Sequence, residues 1–576
     1  MPRAPRQVLL LALVALTLAI WAQRLQGPID LRWDAGTYYV LGSALAQGRG
    51  YRLLNEPGEI AAVQYPPLLP AIVAVSQWIL RTDDPITVGH WLRLVFFIMS
   101  VVYVVASYTM LGRFVSAGYA FVGVLLCLLH LFGMFLSELL SAELPFALVS
   151  VLFMLWRGAP GCRGRPVLAG ACATLAYLLR TAGVALLLAW VAESALRREF
   201  KRTALRGAIA LLPIVGWTAY VAQVQSSASY TRPAYPYQRA DYLFYNVTYW
   251  ASLSLRNPYV PEQGKASLTD LGRRVAGNLT RVPRSLGEAV SADRGSWQSL
   301  IAKVPAVGER VRERWGHWVT TAALVFLGGL VLGSSAVQLA RPERICALYV
   351  FAYICAVCLT PWPLQWQRYW SPLAPFLVLA LLQGLLAVQS WAQRVGPEPA
   401  RAVARMVAAG VICVLLVIQS STIADAYRTH RGEVILHDRG GEPVWFSLFF
   451  YTGPDRELDE ALEWLRGRAR ATDIVATAMP HWAHLVTGLK TVMPPFESDP
   501  RKAERLLDAV PVRYLIIDST DVDIAHLMRR STAKIVHAGP TGWAPVYTGR
   551  SGLVVVYERV TEAPPGPTID ATTPGR

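Results

Sequence analysis

Hydrophobic residues in this chain come in long blocks, and no other feature constrains its fold as strongly. The blocks fall near residues 7–25, 66–80, 88–111, 117–135, 139–156, 166–196, 203–224, 317–340, 343–360, 369–391 and 402–424. Most match the roughly 20 apolar residues that an α-helix needs to span a bilayer. A soluble chain of 576 residues would need more charge than this one has: 16% of its residues are charged, against about 25% in ordinary globular domains. The blocks and the composition together predict a polytopic α-helical membrane protein.

The arginines and lysines lie between the blocks, which gives the net charge of +16 a meaning. Basic connectors at Arg3/Arg6, Arg113, Arg157/Arg163/Arg165, Arg197/Arg198/Lys201/Arg202, Arg341/Arg344 and Arg394/Arg401/Arg405 read as cytoplasmic loops, not as a nucleic-acid surface. If all of them are cytoplasmic, two blocks need special treatment. Block 66–80 is short, opens on Pro66-Pro67 and contains Pro70, so it reads as a juxtamembrane or re-entrant helix. Block 166–196 lies between two basic loops, so it must be a hairpin with its tip near Arg180-Thr181-Ala182-Gly183. About eleven spans result, with the N-terminus cytoplasmic and the first block an uncleaved helix. The seven cysteines sit in apolar blocks or the loop near 162, which implies neither a disulfide framework nor metal-ligand spacing.

Three large pieces then lie outside: 26–87, 225–316 and 425–576. The second is polar and aromatic and reads as carrying surface-lying amphipathic helices. The third alternates a helical pattern at 455–469 with the strand-like runs DIVATAM, VRYLIID and GLVVVYER and a helical stretch near 500–509. That alternation predicts a soluble C-terminal α/β domain over 425–561, appended to a transmembrane module over 1–424. The tail from Glu562, rich in Pro, Gly and Thr, reads as disordered. His481 and His484 have no third ligand nearby and read as structural, and the sequons at Asn246 and Asn278 carry little weight.

Candidate chemistry gathers just beyond the first block, in DLRWDAGTYYVLGSALAQGRGY. Asp34 opens a stretch with helical apolar spacing, so it is either a helix cap or a functional carboxylate, with Tyr38 and Tyr39 one turn on. A second acidic pair, Glu138 and Glu143 in FLSELLSAELPF, sits at the membrane edge. These two are either headgroup-facing acids or ligands for a sugar hydroxyl or a cation. Arg180 at the hairpin tip snorkels to headgroups or pairs with a lipid phosphate. Arg368 and Tyr369 lie in PWPLQWQRYWSPLAPF, which fits an interfacial aromatic belt or a phosphate contact.

Taken together, D-x-x-x-Y-Y, a short helix, G-x-G-Y and Y-P-P-L-L-P around Tyr65 resemble the GT-C superfamily of glycosyltransferases. The likeness is nearest to the branch holding the protein O-mannosyltransferases and the aminoarabinose transferase of lipid A. S-E before a long helix, L-x-R-x-x-G at Arg180 and R-Y-x-x-P-x-x-P at Arg368 are also familiar there, so the resemblance covers roughly residues 1–200 and 360–376. It implies a GT-C-like membrane enzyme that moves a sugar from a polyprenyl-phosphate donor to a glycan, lipid or protein acceptor on the outer face, in contact with membrane lipids. Asp34 would be the base. Tyr38, Tyr39, Tyr65, Glu138, Glu143, Arg180, Arg368 and Tyr369 would line the substrate site. No cofactor is implied, and a divalent cation is not indicated. One departure matters: the neighbourhood Val63-Gln64-Tyr65-Pro66-Pro67 lacks the lysine that binds phosphate in the aminoarabinose-transferase branch. The rival readings are a flippase of lipid-linked sugars, which should show repeats and mid-membrane charges, and a non-catalytic scaffold that works through its C-terminal domain.

Overall fold

A computed structural model describes residues 3–22, 24–157, 165–303, 309–395, 398–429, 432–438, 440–519, 536 and 542–560. Cys162 and the tail from Glu562 lie outside them. Helix α1 (Arg3–Ala22) leads to α2 (Asp34–Ala46), α3 (Leu68–Leu80) and α4 (Pro85–Leu111). Next come α5 (Ala117–Leu128), α6 (Leu131–Glu138), α7 (Glu143–Arg157), α8 (Arg165–Leu179), α9 (Val184–Leu196) and α10 (Phe200–Gln225). Two short helices, α11 (Ala228–Thr231) and α12 (Tyr249–Leu253), precede α13 (Leu268–Val290) and α14 (Arg294–Ala302). The helical part ends with α15 (Glu309–Leu339), α16 (Ile345–Cys358), α17 (Trp366–Trp370), α18 (Ala374–Val395) and α19 (Glu398–Thr429).

Among the described residues, six stretches are long and apolar enough to cross a membrane: 5–22, 85–111, 200–225, 316–339, 363–394 and 398–428. A seventh candidate is the pair α5 and α6, bent by 58° where His130 takes an extended conformation. The chain is therefore an integral membrane protein. The expected eleven spans are not all reached at full length. Helices α7, α8, α9 and α16 have 13 to 15 residues, about 20–22 Å at 1.5 Å per residue, against a hydrocarbon core of about 30 Å. Helix α3, with 13 residues, is likewise too short to cross alone. The 166–196 block does fold back on itself. A Cβ on Gly183 would stand 2.5 Å from the backbone of Ala176 and Tyr177, so only glycine fits that tip.

The 225–316 segment is more deeply packed than a surface amphipathic helix. Ser267 and Asp270 close a capping box on α13. Its inner face lies so close to α15 that a Cβ on Gly287 would meet the carbonyl of Leu324 at 1.9 Å, and one on Gly328 that of Pro283 at 1.7 Å. The sequon side chains are buried donors: Asn278 to the carbonyls of Cys358 and Thr360, Asn246 to Glu56 and the carbonyl of Gln238.

Beyond α19 the hairpin β1 (Gly432–His437) and β2 (Pro443–Leu448) is followed by α20 (Gly453–Arg468), β3 (Ile474–Ala476), α21 (Pro480–Thr487), β4 (Lys490–Val492), α22 (Pro500–Asp508), β5 (Val512–Asp518), β6 (Trp543–Thr548) and β7 (Val554–Arg559). A five-stranded sheet has the order β4-β3-β5-β7-β6, parallel at β3–β4 and β3–β5 and antiparallel at β5–β7 and β6–β7. The three strand-like runs of the sequence are β3, β5 and β7. The all-buried IVA of β3 is the continuous apolar run that a parallel strand covered on both faces requires.

This sheet region is pinned to the segment before α2. Arg32, almost wholly buried, grips Asp30 with two bonds of 3.0 and 2.9 Å and donates to the carbonyl of Phe450. It also lies 3.7 Å from Asp455 and over the ring of Tyr451. Asn55 exchanges backbone and side-chain bonds with Thr491 in β4.

The α13–α15 contact yields a measurable expectation. Gly287→Ala and Gly328→Ala should each destabilise the helical part by about 1–3 kcal/mol through overpacking. Gly329→Ala, with nothing within 4 Å of the added methyl, should not. Thermal melting of the detergent-solubilised variants checks this, and equal melting points for all three would remove the close crossing.

Candidate functional site

Asp34 is the first residue of α2, and it does not cap the helix. The cap position is Trp33, which makes no side-chain cap bond and sits at φ 61°, ψ −137°. A non-glycine residue there is strained by about 1–3 kcal/mol. The two oxygens of Asp34 are engaged elsewhere. Oδ2 is 2.6 Å from a terminal nitrogen of Arg368, and Oδ1 accepts from the Tyr245 hydroxyl at 3.2 Å.

Arg368, on α17, turns its Nε to Oε1 of Glu143 at 2.6 Å. Arg180, at the α8–α9 tip, donates to the same oxygen and lies over the Tyr369 ring at 5.9 Å. Two carboxylates and two guanidinium groups thus meet at the joined ends of α2, α7, α17 and the hairpin, with formal charges that cancel. They are not equally accessible. Asp34 keeps 17% of its side chain exposed and Arg368 24%, while Glu143 keeps 1%. The second oxygen of Glu143 is buried without a hydrogen-bond partner. Arg180 and Arg368 each carry five N–H groups, more than these bonds use.

Aromatic rings wall the cluster. Tyr38 packs on Tyr65 with ring centroids 4.8 Å apart, and Tyr65 lies 6.5 Å from Tyr245. Burial first, then the carboxylate charges of Glu143 and Asp34, push the Tyr38 phenol up. Burial and Asp34 do the same to Tyr245. Both phenols therefore stay protonated, and Tyr245 donates to Asp34.

The structure brings together Asp34, Tyr38, Tyr65, Glu143, Arg180, Arg368 and Tyr369. It places two expected residues elsewhere. Tyr39 points to the opposite face of α2, where its hydroxyl donates to the carbonyl of Asp83 at 2.9 Å. Glu138 is sealed in a separate contact, accepting from the Phe449 backbone N–H at 3.0 Å with Arg24 and Arg93 at 3.9 and 3.7 Å. It ties the sheet region to the helices rather than joining the Asp34 cluster. Sequence reasoning missed Tyr245. Its segment was visible only as an aromatic run, and its contact with Asp34 spans 211 positions. That segment is seated by Glu56, a buried carboxylate that accepts from Tyr235, Gln238 and Asn246.

A cavity of about 420 Å³ lies behind α2, between Tyr39, Val40 and Ser43 and the sheet region's Asp459, Trp482 and Leu485. Its most perturbed acid is already occupied. Asp459, pushed up to about 7 by burial, accepts from Trp482 and Tyr451. The exposed carboxylate with cationic neighbours lies on the other face of α2. Among the described residues no three His, Cys, Asp or Glu side chains are grouped to hold a metal ion.

No protein-family model and no curated protein sequence matches the chain. Solved structures do. The apo oligosaccharyltransferase of Archaeoglobus fulgidus superposes with a TM-score of 0.51 at 14% identity, over 96% of this chain and 74% of that one. The same enzyme in complex with zinc and sulfate gives 0.50 at 14% identity, over 96% and 73%. ArnT from Cupriavidus metallidurans bound to undecaprenyl phosphate gives 0.46 at 12% identity, over 95% and 97%. Polar ends of an apolar helical bundle, a sheet region docked on them and the match to the Archaeoglobus enzyme along almost the whole chain together show that this protein has a membrane fold like that of the Archaeoglobus oligosaccharyltransferase.

Proposed function

We propose that this protein is an inverting glycosyltransferase that moves a sugar from a polyprenyl-phosphate donor to an acceptor at the membrane face carrying Asp34. The observation that carries the reading is the half-open carboxylate of Asp34, oriented by Arg368 and Tyr245, beside two guanidinium groups with N–H donors to spare. Inverting transfer needs one base near the acceptor hydroxyl, and Asp34 is the accessible acid of the cluster. Asp34 takes the hydroxyl proton as the acceptor oxygen bonds to the anomeric carbon and the bond from that carbon to the phosphate oxygen breaks. The departing polyprenyl phosphate is a stable anion. It needs charge neutralisation rather than a proton, and Arg180 and Arg368 supply it in place of the lysine absent beside Pro66. Glu143, shielded by both arginines, holds them rather than a sugar.

In this reading the Asp34 face is the outer one and the N-terminus is cytoplasmic. The membrane is a bacterial inner membrane. Residues 1–424 are the catalytic module and 425–561 an extracytoplasmic domain. Charged groups gathered at one end of the bundle favour transfer at a surface over passage through the membrane.

Two outcomes are expected. Asp34→Asn, given polyprenyl-phosphate-linked sugars extracted from bacterial membranes, should release polyprenyl phosphate at least about 10²-fold more slowly while melting as a folded protein. Full release, read by mass spectrometry, would refute the assignment. Glu143→Gln leaves two part-buried arginines facing one carboxylate, so the ligand-free protein should lose about 2–4 kcal/mol of stability. Because the competing anion is gone, added undecaprenyl phosphate should raise its melting point more than it raises that of the unaltered protein. An equal rise would show that phosphate does not meet these arginines.

A further inference from the structure

Helix α21 sets its first turn directly on the first turn of α2. A Cβ on Gly36 would stand 3.0 Å from Cβ of His481 and 3.2 Å from the backbone nitrogen of Trp482, so no side chain separates the two helices there. One residue on, Thr37 Oγ1 lies 3.1 Å from His481 Nδ1. Both residues are buried. The His481 ring stands at 80° to the Tyr245 ring, with centroids 4.6 Å apart, and Tyr245 is the residue whose hydroxyl donates to Asp34. His481 therefore touches two of the structures that orient Asp34: the turn that carries it and the phenol that binds it.

The other ring nitrogen, Nε2, is buried with no partner. Burial holds the imidazole down at about 3, so the ring is neutral at working pH, with one nitrogen paired and one orphaned. An orphaned buried polar atom keeps its desolvation cost. A residue serving packing alone would be better as phenylalanine, which fills the same plane without that cost. Local backbone does not fix Asp34 either, because Trp33 before it is held in a strained conformation. The direction of the carboxylate has to be imposed by contacts from outside α2.

We infer that His481 is a positioning residue for Asp34, fixing the first turn of α2 through its hydrogen bond with Thr37. The inference rests on Asp34 being the base. It makes the C-terminal sheet region part of the catalytic geometry, although none of its residues need touch substrate.

The test uses the full chain with His481→Phe, His481→Asn and His481→Gln. Donor-dependent release of polyprenyl phosphate is measured well below every melting transition. His481→Phe should lower kcat about tenfold or more and leave KM for the donor within about twofold, since Arg180 and Arg368 are untouched. His481→Asn, whose amide reaches the place of Nδ1, should restore most of kcat. His481→Gln, whose amide reaches the place of Nε2, should not. Unchanged kcat in His481→Phe overturns the inference whatever its melting point. Failure of His481→Asn to restore kcat makes the residue structural. Rescue by His481→Gln alone moves the operative atom to Nε2. The two readings fail separately: an active Asp34→Asn variant refutes the base, whereas an inactive Asp34→Asn beside an unaffected His481→Phe refutes only the positioning role.

Discussion

Arg368 is shared by two carboxylates from distant parts of the chain, and much of the architecture around it follows from that sharing. A lone charge in a largely apolar surrounding is costly by several kcal/mol. Asp34, Glu143, Arg180 and Arg368 offset one another only where all four meet. Their meeting requires the first residue of α2, the first residue of α7, the α8–α9 tip and α17 to lie at one end of the bundle. The reversal at Gly183 and the short helix α17 are what bring the two arginines there. Neither element is long enough to be a span, and neither has to be.

The same balance governs what the cluster can accept. With formal charges that already cancel, an incoming phosphate adds uncompensated negative charge unless an arginine changes partner. Glu143 is almost wholly buried and has an orphaned oxygen, so it is the fixed member. Asp34, partly exposed, is the member that can release its share of Arg368. In the proposed reaction this couples the two halves of the site. As the leaving phosphate gains charge it draws Arg368 away from Asp34, which frees the Asp34 oxygen that Arg368 holds.

The transmembrane class, the hairpin at 166–196 and the residues that carry charge in the cluster were legible in the sequence, because block length, loop charge and residue type are local properties. What was not legible depends on small rotations and on distant contacts. Tyr38 and Tyr39 are neighbours on one helix, so a turn of about 100° sends one to Asp34 and the other to the cavity behind. Glu138 and Glu143 share one acidic stretch, but the extended backbone at Leu139, paired with Asp30, separates them. The first seals the sheet region and the second holds the arginines. The shortening of α7 and α16 escaped notice because apolar composition continues past the residues that are helical. Tyr245 and His481 reach the site only through tertiary contacts, and neither belongs to a motif.

Helix α2 carries the consequences of all this. One face presents Asp34 and Tyr38 to the charge cluster, and the other presents Tyr39 and Ser43 to a cavity roofed by α21. Its first turn is held by Arg32 on the chain side and His481 on the sheet side, with strain stored at Trp33 between them. A short helix loaded in this way cannot adjust one face independently of the other. Any shift of α21 across Gly36 must move the first turn of α2, because there is no side chain between them to absorb it. The sheet region and the turn that carries Asp34 are therefore in direct contact, although more than four hundred residues of chain lie between them.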